Sequence, residues 1–164
     1  MPLPRNPRVL NLAGFLTCAA LLAYAYFTQF YLDLEPCPLC IFQRVGMIAV
    51  GVVFVLAAIH GPRQTGRRVY GALIVLTALA GAAVSARHVW LQNLPPDQVP
   101  ACGPGLGYML DVFSFSETLQ MVFTGSGECA EVDWSFLGLS MPAWVLICFV
   151  ALGAFGAWNN WRRA

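Results

Sequence analysis

Apolar residues run almost unbroken through four stretches of the chain, and the polar residues collect between them. The stretch 9–31 carries no charge, and 41–59 holds Arg44 in its opening turn. The third, 69–90, carries Arg87 and His88 near its end, and 136–158 is uncharged. Each is close to the about 20 mostly apolar residues that cross a bilayer as a helix, so the pattern predicts four membrane spans. The intervening pieces differ. Residues 32–40 form a short loop, whereas 91–135 form a long one punctuated by Pro95, Pro96, Pro100, Gly103, Pro104, Gly105 and Gly107. Inside the long loop, Met109 to Phe123 (MLDVFSFSETLQMVF) mixes apolar positions with Asp111, Ser114, Ser116, Glu117 and Gln120. That mixture predicts a short amphipathic helix on the membrane surface, with an irregular loop as the alternative. The expected fold is an all-α membrane protein, a four-transmembrane-helix bundle forming one domain over 1–164. It has no internal repeat and no low-complexity segment.

Composition agrees. Of 164 residues, 59% are hydrophobic and only 10% charged, and the mean hydropathy is +0.67. Nine cationic and eight anionic side chains are too few to cover a water-soluble domain of this size, and disorder is excluded by the same numbers. A net charge of +1 without a single Lys gives no basis for binding nucleic acid. The first stretch is longer than the core of a cleaved signal peptide and lacks a small-residue exit, so a retained span is expected.

Charge placement predicts the orientation. Arg5, Arg8, Arg63, Arg67, Arg68, Arg162 and Arg163 fall on one side of the four spans. All the acids, Asp33, Glu35, Asp97, Asp111, Glu117, Glu128, Glu131 and Asp133, fall on the other. Positive segments stay in the cytoplasm. Both termini are therefore expected inside and the loops 32–40 and 91–135 outside, with Trp90 and Trp134 near the outer interface and Trp158 and Trp161 near the inner one.

The chemistry sits in the cysteines. Cys18 and Cys148 lie inside spans, where a free thiol packs as a small hydrophobe. The other four all fall on the outer side: Cys37 and Cys40 as C-P-L-C in the short loop, Cys102 and Cys129 in the long one. Four cysteines in an oxidising compartment imply disulfides, in any of three pairings. A bond across C-P-L-C closes too small a ring to stabilise much, and its geometry suits a redox-active pair better than a staple. Zinc, the other use of C-x-x-C, needs two further ligands. His60 is expected at the opposite end, and Cys102 and Cys129 lack the second tight spacing, so no metal is expected. Pro36 and Pro38 restrict the backbone before Cys40, which predicts a helix beginning near Cys40 with that sulfur at its N-terminus, where the dipole favours thiolate. Arg44, one turn on, shares that face. A guanidinium inside an apolar stretch is costly, and it either snorkels to the interface or stabilises a Cys40 thiolate or a bound anionic acceptor. Arg87 and His88 end the third span at the same expected depth, within reach of such a site.

The four-span layout, C-P-L-C-I-F-Q-R from Cys37 to Arg44, the Cys102 and Cys129 pair, and G-x-C-A-E-x-x-W-x-F-L-G-L-x-M-P-x-W from Gly127 to Trp144 together resemble the DsbB family over essentially the whole chain. These are bacterial inner-membrane oxidases that re-oxidise the periplasmic thiol oxidant DsbA. The resemblance implies a protein-dithiol:quinone oxidoreductase. Cys102 matches the cysteine that forms a mixed disulfide with a DsbA-like partner. Cys129 then exchanges with Cys37, and Cys40 passes electrons to a membrane quinone, ubiquinone or menaquinone. Arg44 matches the quinone-site arginine of the family, and His88 a histidine placed near the quinone. Gln43 stands where some relatives carry an acid, and the glycine-rich stretch after Cys102 departs from the pattern in a segment that would meet the partner. Two other readings compete: a non-enzymatic membrane protein with two structural disulfides, and an enzyme like the vitamin-K-epoxide reductases, whose C-x-x-C lies at a later span.

Overall fold

The computed structural model describes residues 6–101, 103, 106–132 and 134–162. Four long helices dominate it: α1 (Pro7–Tyr31), α2 (Pro38–His60), α3 (Gln64–Gln92) and a last one, α7 (Met141–Trp161). All four are long and apolar enough to cross a membrane. Between α3 and α7 lie a 3₁₀ turn (Pro96–Gln98), α4 (Leu106–Val112), α5 (Phe115–Thr124), α6 (Gly127–Ala130) and a small hairpin of β1 (Ser135–Phe136) and β2 (Leu139–Ser140).

The helices alternate in direction. At one end, Asn11 of α1 meets Asn159 and Asn160 of α7 through side-chain amide hydrogen bonds of 3.0–3.2 Å. Arg67 of α3 donates to the Asn159 carbonyl at 2.9 Å. Arg8 reaches the carbonyl of Gly61, which ends α2 in the left-handed conformation. The three asparagines and Arg67 are all buried. This end also gathers the arginines expected on one side, apart from Arg5 and Arg163, which lie outside the described residues.

The middle is an apolar core of Phe54, Ile74, Val50, Met47, Phe149 and Leu152, with Cys18 packed among them. Cys18 and Cys148 thus fill apolar space, as expected. α3 and α7 form the most extensive pairing, and small residues let them close. A Cβ added to Gly81 would stand 2.3 Å from the Phe149 ring, and one added to Gly156 would stand 2.4 Å from Ile74.

At the other end the short elements fold over α2 and α3. Leu39, Leu91, Met109, Val122 and Cys129 form a second buried cluster. The expected single helix over Met109–Phe123 is instead two. Ser114 interrupts it because its side chain caps α5: its hydroxyl meets Glu117 N, and the Glu117 carboxylate accepts from Ser114 N at 3.0 Å and Ser114 Oγ at 2.7 Å. Such a reciprocal box satisfies donors a continuing helix would leave inside its own ladder, and those two hydrogen bonds hold the exposed Glu117 carboxyl below its ordinary range. The fourth span starts at Met141, five residues later than expected. Leu137 and Gly138 both adopt positive φ, 52° and 79°, and turn the chain into the β1–β2 hairpin as a tight primed turn does.

Gly81→Val should force α3 and α7 apart and cost about 1–3 kcal/mol by overpacking, seen as a lowered thermal midpoint in detergent. Gly107→Ala, where an added Cβ meets nothing within 4 Å, should leave that midpoint unchanged or higher.

Candidate functional site: a buried imidazole among three thiols

The site begins with the cap of α2. Pro36 and Pro38 hold the backbone extended up to Cys37, and Pro at the first helical position needs no amide partner. The helix therefore starts at Pro38, two residues earlier than expected. Its N-cap is Cys37, whose Sγ accepts from Cys40 N at 3.4 Å. The correction matters: the sulfur at the positive end of the helix is that of Cys37, and Cys40 lies inside the first turn. Their sulfurs are 3.1 Å apart.

α3 supplies the third member. His88 is buried (2% exposed). Its Nε2 is 3.8 Å from Cys37 Sγ, and its Nδ1 is 4.0 Å from Cys40 Sγ. Gln43, also buried, sets its Nε2 3.1 Å from His88 Nδ1. With the carboxamide donating there, the imidazole proton resides on Nε2 and points at Cys37. Gln43 was visible in the sequence only as a departure from a family pattern. Its spacing from Cys40, one helical turn, was the available signal that it faces the same space.

The fourth member comes from the long loop. Cys129, in α6, is 1% exposed and packs against Leu39 and Leu91. Its Sγ, Cys37 Sγ and a His88 ring nitrogen all lie within 4.8 Å of one another. Ser126 contacts Cys129 Sγ at 3.6 Å, and Gly127 N donates to the carbonyl of Ala101 at 3.3 Å, fastening α6 to the chain just before Cys102. Cys102 itself lies outside the described residues. The turn into α6 depends on Gly125, whose φ is 90° and where a Cβ would meet Leu91 at 2.5 Å. A thiol donating to Cys37, together with burial, pushes the Cys129 pKa upward.

Two cations bracket the site without entering it. Arg44 turns toward α1: it donates to Gln29 Oε1 and to the Ala25 carbonyl at 3.0 Å, and lies 4.9 Å over the Tyr26 ring. Tyr26 stacks on Phe30, and both rings are exposed, an aromatic wall on the outside of the bundle. Arg87 has a structural task. Its guanidinium meets the Phe123 and Thr124 carbonyls, each at 3.0 Å, and stacks on Trp90 at 4.1 Å. It thus caps the C-terminus of α5. A hollow of about 350 Å³ is lined by Ala101, Gly103, Met109, Glu117 and Ser126 among others, the last of which contacts Cys129.

Four long apolar helices with a dithiol at the mouth of the bundle define a multi-pass membrane protein built around thiol chemistry. The family model described as "Disulfide bond formation protein DsbB" matches residues 7–159. Relatives called "Disulfide bond formation protein B" are 56% identical in Methylococcus capsulatus, over 99% of this chain and 98% of the relative. They are 55% identical in Nitrosococcus oceani, over 91% and 88%, and 51% in Hahella chejuensis, over 99% of each. The chain belongs to the DsbB family, and is a disulfide-forming oxidoreductase of the membrane; neither competing reading is favoured.

With its pKa raised, Cys129 stays protonated through neutral pH and yields thiolate only well above the ordinary thiol range. Its alkylation by iodoacetamide in the reduced protein, followed by mass spectrometry, should be slow at pH 8 and rise steeply only in strong alkali. Cys37→Ala removes the acceptor and should move that rise to lower pH.

Proposed function

We propose that the chain re-oxidises a periplasmic DsbA-like thiol oxidant and delivers the electrons, through two cysteine pairs, to a membrane quinone. The observation that carries this reading is the short sulfur path, Cys129 to Cys37 to Cys40, gathered round one buried imidazole. Thiol–disulfide exchange needs an attacking thiolate, a reachable sulfur and a stabilised leaving group.

In this reading the loops 32–40 and 91–135 face the periplasm and both termini the cytoplasm of a bacterial inner membrane, as the arginine asymmetry favours. The partner's thiolate attacks Cys102 of a Cys102–Cys129 disulfide and expels Cys129. The Cys129 thiolate so released attacks Cys37 of the Cys37–Cys40 bond, forming Cys129–Cys37 and freeing Cys40 as thiolate. A second partner thiolate displaces Cys102, which attacks Cys129 and expels Cys37. Each exchange breaks one S–S bond and makes one. His88 acts on the last departure: its Nε2–H donates to Cys37 Sγ, and Gln43 holds the tautomer that permits this. The net result is one partner disulfide formed and two electrons left on Cys37 and Cys40.

Those electrons need an acceptor, and the surroundings of Cys40 suit a quinone. The aromatic wall of Tyr26 and Phe30 offers stacking for a flat ring. Arg44 supplies a cation at the lipid boundary, and Cys40 is partly exposed. When bound, a quinone supplies a two-electron, two-proton sink. The residues here would hold its ring against α1 and α2 and keep water from the thiolates.

Purified protein in detergent, given reduced DsbA-like protein and a quinone, should consume partner thiols and quinone absorbance in step, two thiols per quinone. Cys37→Ser or Cys40→Ser should abolish quinone reduction. Cys102→Ser should block partner oxidation while a small dithiol still drives the Cys37/Cys40 pair. Unimpaired turnover in any of these would remove the relay. Arg44→Met should raise the KM for quinone about tenfold, or about 1.4 kcal/mol, and leave the KM for partner unchanged. A change confined to partner kinetics would contradict the role given to Arg44.

A further inference from the structure

The same cluster has a second chemical capability, independent of electron flow. Tetrahedral zinc takes thiolate at about 2.3 Å and imidazole at about 2.0–2.1 Å, which sets its donor atoms about 3.5–3.8 Å apart. Cys37 Sγ and His88 Nε2 are 3.8 Å apart, and Cys129 Sγ completes a triangle with no side above 4.8 Å. The three donors come from the cap of α2, from α3 and from α6, so the fold assembles them without any local C-x-x-C spacing.

We infer that the fully reduced protein holds a Cys37–Cys129–His88 site for a soft divalent cation of the zinc class, and that this site vanishes on oxidation. The gating follows from bonding: Cys37 belongs to the site and to both the Cys37–Cys40 and Cys37–Cys129 disulfides. Either bond removes it. Capture forms two metal–sulfur bonds and one metal–nitrogen bond and releases two protons from the thiols, with no electron transferred. Two thiolates balance the dication, so the buried complex is neutral and escapes the desolvation cost of an uncompensated charge.

The surroundings are those of a supported metal site. A ligating imidazole needs its other nitrogen hydrogen-bonded, and Gln43 lies 3.1 Å from Nδ1. With Nε2 on the metal, Nδ1 carries the proton, and the carboxamide turned end for end presents its oxygen. Three protein ligands leave a fourth position for water or for Cys40. Ser126, which contacts Cys129 Sγ, also lines a hollow that has the Glu117 carboxylate on its wall. Binding there rests on the geometry alone. Its consequence, arrest of the relay in the reduced state, rests on the function proposed above.

Cobalt(II) reports such a site by the intense d–d absorption of tetrahedral sulfur–nitrogen coordination. The full chain in detergent, reduced and freed of reductant, should bind one Co²⁺ and exchange it for Zn²⁺. The protein with its Cys37–Cys40 bond formed should give no such bands. His88→Ala and Cys129→Ala should each weaken binding at least about tenfold, and Gln43→Leu, which keeps all three ligands, about tenfold or more. Cys18→Ala with Cys148→Ala should retain full stoichiometry. Circular dichroism identifies any variant that has lost its helices, and the remaining ligand variant then decides. Bands in the oxidised protein, bands indifferent to Cys129 or His88, or none in the reduced protein would overturn the site. Partner oxidation insensitive to zinc despite those bands would instead overturn the arrest. Bands without any partner oxidation would leave the metal site standing and sink the relay.

Discussion

The extended backbone through Pro36-Cys37-Pro38 is the constraint on which the redox end of the molecule depends. It makes Cys37 the cap of α2, places Cys40 in the first turn, and sets Gln43 and Arg44 one turn further on, toward α3 and α1 respectively. A cap sulfur has two attractions at once: the amide of Cys40 beneath it and the imidazole of His88 beside it. Both are donors in the tautomer that Gln43 holds, so the sulfur is positioned between two N–H groups. Moving the helix start by a single residue would rotate all four side chains by about 100° and break the cluster.

The long loop completes this arrangement by packing, with few polar contacts of its own to the site. Leu39, Leu91, Met109 and Val122 bury Cys129 against the ends of α2 and α3. Arg87 fastens α5 by its terminal carbonyls, and Ser140 and the Glu131 carbonyl are both tied to Gln92. A loop so attached keeps its cysteine beside Cys37, while Ala101 and Gly103 line the neighbouring hollow. That division of labour suits a protein whose two thiol pairs must meet each other and, separately, another molecule.

The four spans were legible in the sequence because hydrocarbon thickness imposes a length that no other context explains. The cysteine pairs were legible because their residue type is scarce and their spacing short. What escaped was set by single residues whose effect is cooperative. Ser114 reads as an ordinary polar position in an amphipathic run until its reciprocal bond with Glu117 is seen to start a new helix. Leu137 and Gly138 delay the last span through backbone angles that hydropathy does not register. The meeting of His88 and Cys129 with Cys37 is invisible in the sequence, since tertiary packing alone brings them together. Arg87, weighed as a site residue, turned out to be a helix cap.

The asparagine cluster at the far end has a mechanical meaning. Asn11, Asn159 and Asn160 satisfy one another in a water-poor setting, so turning α1 or α7 about its axis would strand several amide groups at once. A long helix resists twisting, and a rotation forbidden at its base is forbidden at its tip. Three amides thus act as a keyway for the bundle, indexing α1 against α7 and so the wall of rings on which an incoming carrier would lie.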